Sequence, residues 1–212
     1  MDCSIGNDDS AQEAALLKAS PHGGKRIGEH TLQVNWAHGV KTFKEKKPYN
    51  TGEIGGINWE YCGYNATLKM HLIYKNDGDT EISGGVLLDD ATGRLLPAGY
   101  TVMFSADGLY YAASYQPGGQ DGDSLSLYDR KTGAVLWDGM AAITSGKDHN
   151  ILVQFDNYRW NGDVLLADGK SVAYIDSPAS PPTGAPPPQT QLYRLSRQAD
   201  GKWAWSPAAA KT

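Results

Sequence analysis

Long apolar runs are missing from this chain, and nothing approaches the roughly 18 residues that a membrane-spanning helix needs. The first ten residues, Met1 to Ser10, are polar, so no signal peptide is read there. A basic excess is missing too. The formal charge of -5 and pI near 5.5 argue against nucleic acid as a main partner, because phosphate binding needs a positive surface. The five histidines show neither His-x-His nor His-Glu-x-x-His spacing, so no zinc site is supported. No phosphate loop is present: Gly146-Lys147 runs into Asp148, and Gly169-Lys170-Ser171 has Val164 where the first glycine belongs. The Gly-x-Ser-x-Gly elbow of serine hydrolases is also absent. Glutamate stops at Glu81, and acid afterwards comes only as Asp, a turn former, which leaves little helix for the rest of the chain. Only three Phe stand against six Trp and twelve Tyr, a balance that suits half-buried strand faces.

What is present is a repeated phrase. Leu87-Leu88-Asp89-Asp90-Ala91-Thr92-Gly93-Arg94-Leu95-Leu96 is matched by Leu127-Tyr128-Asp129-Arg130-Lys131-Thr132-Gly133-Ala134-Val135-Leu136-Trp137. Each is an apolar strand, an Asp-x-x-Thr-Gly turn and a second apolar strand. The 40 residues from Asp89 to Asp129 match one four-stranded propeller blade. On Leu127 to Trp137, and more weakly on Leu87 to Leu96, the phrase resembles quinoprotein-like β-propeller repeats.

Along the chain, Ser10 and Glu13 form a capping box that opens a short helix over Ala11 to Ala19, ended by Pro21 and Gly23-Gly24. Residues 1–26 read as a polar leader or tether carrying that helix. Residues 27–212 read as a single all-β domain. Thr31 to Trp36 alternates polar and apolar side chains, as a half-buried strand does. Ile57 to Tyr74 reads as two strands, with Leu68, Met70, Leu72 and Tyr74 on one face and Lys69, His71 and Lys75 mostly on the other. Hairpins are expected around Asp77-Gly78, Asp107-Gly108, Asp168-Gly169-Lys170 and Asp200-Gly201. The Pro-rich segment 178–189 lacks ladder donors and reads as a surface loop. The fold class is therefore all-β, with antiparallel hairpins in a small propeller-like ring or a two-sheet sandwich and one short N-terminal helix.

Chemistry is harder to place. Cys3 is a free thiol, a disulfide partner of Cys62, or the lipidated first residue of a processed bacterial lipoprotein; the last would set the chain in the periplasm or anchor it to the outer membrane. The loop Gln116 to Asp123 offers Asp121 and Asp123 as oxygen ligands for calcium. No other cofactor is expected. Glycoside hydrolysis needs two carboxylates facing across a cleft, and Glu53 and Glu60 are the candidates. Tyr115, Gln116, Gln120, Asp121, Tyr158, Arg159 and Trp160 form the binding set, since Tyr, Trp and Arg anchor protein interfaces. A lysine segment, Lys41, Lys44, Lys46 and Lys47, reads as a solvated loop or a protected edge strand, with a dock for an acidic partner as the alternative. The leading expectation is a non-catalytic module that binds another protein, by analogy with the bacterial envelope inhibitor and immunity proteins that neutralise secreted antibacterial toxins. On this view membrane contact is made only through a lipid anchor. The alternative is a carbohydrate-active enzyme or sugar-binding protein.

Overall fold

A computed structural model describes residues 1–3, 10–47, 56–77, 82–117, 124–140, 142–145, 151–173 and 190–208. The fold is all-β, built of antiparallel strands with one short N-terminal helix. Two compact units divide it. One comprises Met1–Met103 with Ala112–Ser124, the other Phe104–Tyr111 with Leu125–Thr212.

The first unit opens with Met1–Cys3 laid along a strand edge. Cys3 N–H donates to the Tyr100 carbonyl at 2.8 Å, and Val102 N–H donates to the Met1 carbonyl at 2.8 Å. Helix α1 (Ser10–Ala19) follows, then a three-stranded sheet of β1 (Gly24–Arg26), β2 (Thr31–Trp36) and β3 (Gly39–Lys44). The alternation in β2 puts Leu32 and Val34 inside, as its pattern predicts. Next come β4 (Ile57–Asn65), β5 (Met70–Asp77) and β6 (Ile82–Asp89), paired in that order. β7 (Leu95–Ala98) pairs with β6, and the end of β9 (Tyr110–Pro117) pairs with Ile82 and Ser83. Leu17 of α1 packs with Leu32, Val34, Phe43, Tyr61, Ile73 and Leu88. Each buried Leu, Val or Ile there contributes about 1.5–3 kcal/mol.

β5 departs from its pattern. Met70, His71, Leu72 and Ile73 are all fully buried, because the strand is paired on both edges, by β4 and β6, and covered on both faces. His71 therefore lies inside, on a face that the alternation assigned to polar residues.

β8 (Thr101–Phe104) and β9 each give residues to both units. The second unit continues with β10 (Ser124–Asp129) and β11 (Val135–Met140), then a five-stranded sheet in sequence order: β12 (Ala142–Ser145), β13 (Ile151–Asn161), β14 (Val164–Ala173), β15 (Thr190–Arg197) and β16 (Trp203–Pro207). Its core holds Val153, Phe155, Ala167 and Tyr193, with Tyr158 and Trp205 against them. The Trp205 ring stacks on Phe155 with centroids 4.4 Å apart.

Asp168-Gly169-Lys170 is not a turn, contrary to expectation. It lies inside the unbroken β14, and the real turn comes earlier, at Gly162, where φ is +63°. Gly169 serves packing: a Cβ there would sit 2.5 Å from the Tyr193 ring and 2.8 Å from Val153 Cγ1. A glycine that makes room for a ring and one that makes a turn look alike in sequence.

The two repeated phrases form matching turns. Asp89 Oδ1 accepts from Ala91 N–H and Thr92 N–H, and Asp129 Oδ1 accepts from Thr132 N–H and its hydroxyl. Gly93 N–H and Gly133 N–H return to the carbonyls of Asp89 and Asp129. Both glycines take positive φ, +69° and +74°.

Gly93 has a second duty, since a Cβ there would fall 2.6 Å from Trp36 Cζ2. Gly201 takes φ +83° with nothing nearer than 3.7 Å. Gly201→Ala is expected to lose about 1 kcal/mol from backbone strain alone. Gly93→Ala adds overpacking and is expected to lose about 2–3 kcal/mol in urea unfolding.

Candidate functional site

β4 is the outer strand of its sheet, and on its outer edge a backbone bridge to Lys46 is followed by side-chain partners. Ile57 N–H bonds the Lys46 carbonyl. Trp59 N–H donates to Glu45 Oε1 at 3.4 Å, and Tyr61 N–H donates to Glu13 Oε1 at 2.8 Å. The Trp59 carbonyl accepts from Arg26 Nη2. Arg26 joins these carboxylates: Nε and Nη2 donate to Glu13 at 2.8 and 3.0 Å, and Nη1 donates to Glu45 at 2.6 Å. His30 Nδ1 meets the other Glu45 oxygen at 3.1 Å. Burial opposes the Arg26 charge, but Glu13 and Glu45 outweigh it and hold its pKa above the ordinary value. Glu13, read as a capping-box residue, thus turns away from the helix start and into the protein.

Tyr61 links this network to a second one. Its hydroxyl lies 2.9 Å from His71 Nδ1, and His71 Nε2 lies 3.2 Å from Asp90 Oδ1. The other Asp90 oxygen lies 3.2 Å from His22 Nε2. An ionised carboxylate only accepts, so His71 carries its proton on Nε2 and its Nδ1 accepts from the Tyr61 O–H. Tyr61 and His71 are fully buried, whereas the His22 side chain is 38% exposed. The Tyr64 ring covers His71 at 4.7 Å. Burial pushes the Tyr61 phenol far up. Burial also pushes the His71 imidazole below its ordinary value, with Asp90 opposing and His22 adding to the effect.

Of the residues singled out in the sequence, Glu60 sits half-buried on β4. Burial raises its pKa, repulsion from Glu13 adds to the rise, and Arg26 opposes it. Its intended partner Glu53 lies outside the described residues, as do Gln120, Asp121, Asp123 and segment 178–189. Tyr115 is half-buried on β9, and Gln116 follows it in the same strand. Tyr158, Arg159 and Trp160 lie on β13, where a bulge falls between Asp156 and Arg159 and Asn157 takes φ +50°. Tyr158 packs on Trp205 and donates its hydroxyl to the Phe155 carbonyl, while the exposed Arg159 pairs with Asp168 at 2.9 Å. Cys3 forms a disulfide with Cys62, 59 residues away, where β4 bulges. One sulfur carries a disulfide or a lipid thioether, never both. Among the described residues no cluster of His, Cys, Asp and Glu suits a metal ion, and no helix is long and apolar enough to cross a membrane.

The sequence reading missed Glu13, Arg26, Glu45 and the His22–Asp90–His71–Tyr61 chain. Two signals were available. Arg26 is the only arginine before Arg94, set between two glutamates. In the repeat, Asp90 stands where the second copy has Arg130.

Glu13→Ala leaves Arg26 and the Tyr61 N–H without their carboxylate and is expected to lose about 3–5 kcal/mol in urea unfolding. The depressed His71 pKa gives a pH dependence of known sign. As pH falls below the ordinary histidine value of 6.5, the unfolded chain binds a proton that folded His71 refuses, so stability falls with acid. The urea midpoint is expected to drop between about pH 7.5 and 5.5, and to drop less in His71→Gln.

No protein-family model and no curated protein matches this chain. A solved structure of hydrazine synthase from Kuenenia stuttgartiensis is similar at 14% identity and a TM-score of 0.36. The similarity covers 84% of this chain and 63% of that one, so this chain spans less than two thirds of its neighbour.

Proposed function

We propose that this chain is a non-catalytic protein-binding module of the bacterial envelope that neutralises a partner protein, in particular a secreted effector enzyme. The observation that carries the proposal is the Cys3–Cys62 disulfide. Such bonds persist in oxidising compartments, the periplasm and cell surface among them, and are rare in the cytosol. The internal pairing of Glu13, Arg26, His71 and Asp90 agrees with this reading, since those groups complete the fold and leave recognition to the surface. Arg159 on β13 and Tyr115 on β9 are the anchors proposed for the partner. The matched turns at Asp89 and Asp129 support reading the repeated phrases as propeller-like units. Attachment through Cys3 and the disulfide are alternative fates of one sulfur, so a lipid-anchored form would lack this bond.

Glu60 favours a second reading. Its raised pKa suits a proton donor to a glycosidic oxygen, and Trp59 is its neighbour in sequence. This alternative makes the chain a carbohydrate-active enzyme with Glu53 as the second carboxylate.

Affinity capture from periplasmic extract, compared between the native chain and Arg159→Glu, separates the two. A secreted enzyme retained by the first, lost by the second and inhibited by the pure protein supports the module. Glycan hydrolysis that Glu60→Gln abolishes, with no protein captured, overturns it. Replacing both Cys3 and Cys62 with Ser is expected to lose about 2–4 kcal/mol, from the loop that the bond closes in the unfolded chain.

A further inference from the structure

We propose that the outer edge of β8 is a slot for an extended segment of a partner protein, and that the Cys3–Cys62 bond keeps it closed by holding Met1–Cys3 inside it. The slot rests on the protein-binding reading for its class of ligand. It uses neither Arg159 nor Tyr115, so the slot and those anchors can fail separately.

β8 pairs with β9 along one edge, and just before it Tyr100 N–H donates to the Ser114 carbonyl at 2.9 Å. The other edge is filled by Met1–Cys3. Asp2 stands opposite Thr101 as an antiparallel bridge. Val102 N–H donates to the Met1 carbonyl and Cys3 N–H donates to the Tyr100 carbonyl, both at 2.8 Å. The Met1 nitrogen donates to the Val102 carbonyl at 2.7 Å. Across the bridge the Thr101 hydroxyl donates to Asp2 Oδ1 at 2.9 Å. Three residues thus sit as an added strand does, with backbone bonds for affinity and one side-chain contact for selectivity.

Those bonds alone do not hold the segment. Each adds little net stability, because water competes for the same groups. Fixing three residues in extended form opposes them by a comparable amount. Asp2 is exposed and Met1 and Cys3 are only half-buried, so apolar burial adds little. The covalent bond decides the balance. Its other end, Cys62, is buried in the bulge of β4, between the pairs Tyr61↔Ile73 and Gly63↔Leu72.

A dithiol reductant opens the slot. Its thiolate attacks the sulfur of Cys3, the more exposed residue of the two. The S–S bond breaks with its electron pair on Cys62 Sγ, which takes up a proton. The second thiol of the reductant then attacks the mixed disulfide and releases Cys3. The reductant ends as a disulfide, and both cysteines end as thiols. Departure of Met1–Cys3 leaves Val102 N–H and the carbonyls of Tyr100 and Val102 unmet on a strand edge, which is a template for another strand. Thr101 sets the preference of the vacated slot: the entering segment runs antiparallel to β8 and carries Asp opposite the Thr101 hydroxyl, as Met1–Cys3 does.

The test uses the full chain, oxidised and after reduction with dithiothreitol. The probe is a synthetic peptide of residues 1–4 carrying Cys3→Ser. On reduction, hydrogen-exchange protection of the Cys3 and Val102 amides is expected to fall at least about tenfold while Leu72 and Leu87 keep theirs. The peptide is expected to shift the Thr101 and Val102 NMR signals of the reduced chain. It should bind the oxidised chain at least about tenfold more weakly, because the tethered segment competes at high effective concentration. Asp2→Ala in the peptide should weaken binding about two- to tenfold. The full-length Cys3→Ser variant should match the reduced chain without any reductant. Unchanged Val102 protection overturns the proposal. So does loss of protection at Val102, Leu72 and Leu87 together, which is unfolding. A peptide that shifts neither form, or both alike, overturns it as well. Dimerisation of the reduced chain with the peptide excluded does the same, since a second copy is then the occupant.

Discussion

The first unit depends on one guanidinium. Arg26 reaches two carboxylates and a backbone carbonyl, drawn from α1, the end of β3 and β4. Those same carboxylates accept the Trp59 and Tyr61 N–H groups, so that side chains stand where a neighbouring strand would. An outer strand with open donors and acceptors invites pairing with another chain, and folds blunt such edges with charge, bulges or cover. Here the cover is an ion network, and it also joins the helix to the sheets. A buried ion pair contributes little net stability over an apolar substitute, but breaking one is costly. Specificity is the larger gain: the charges bring α1, β1 and β4 together in one register, because any slip leaves a carboxylate buried without its cation.

Tyr61 explains why the two polar networks occur on one strand. Its backbone is bound by Glu13 and its side chain by His71, so a single residue is held from both ends. The bulge at Cys62 follows immediately, and the disulfide to Cys3 fixes that bulge to the first residues of the chain. Three constraints of different kinds, ionic, hydrogen-bonded and covalent, thus act on three or four consecutive positions. The rest of β4 needs less, because its inner edge pairs with β5 along most of its length.

Much of the architecture was legible because local pattern and tertiary role agree. The alternation in Thr31 to Trp36, the repeated Asp-x-x-Thr-Gly turns and the short helix are set by interactions within a few residues. The misreadings share a cause. Gly169 is a glycine for the sake of the Tyr193 ring, some two dozen residues away, so its neighbourhood in sequence looks like a turn. His71 occupies a polar-looking position because its partners arrive from residues 22, 61 and 90.

The repeat itself shows where specialised chemistry arises. Both copies use the first Asp in the same way, to accept from the backbone of the turn, and both return a glycine N–H to that Asp. That position is satisfied locally and is free to recur. The next residue is not part of the turn chemistry, and there the copies diverge. Asp90 is buried, its N–H donates to the Lys69 carbonyl, and its carboxylate is divided between His71 and His22. Arg130, at the matching position, is half-buried and donates its backbone N–H to the Leu109 carbonyl. A carboxylate at that second site would need its own buried donors, and a guanidinium at the first would face two imidazoles with no anion between them. The turn is thus a common scaffold, and the residue just after its Asp is where each copy meets its own surroundings.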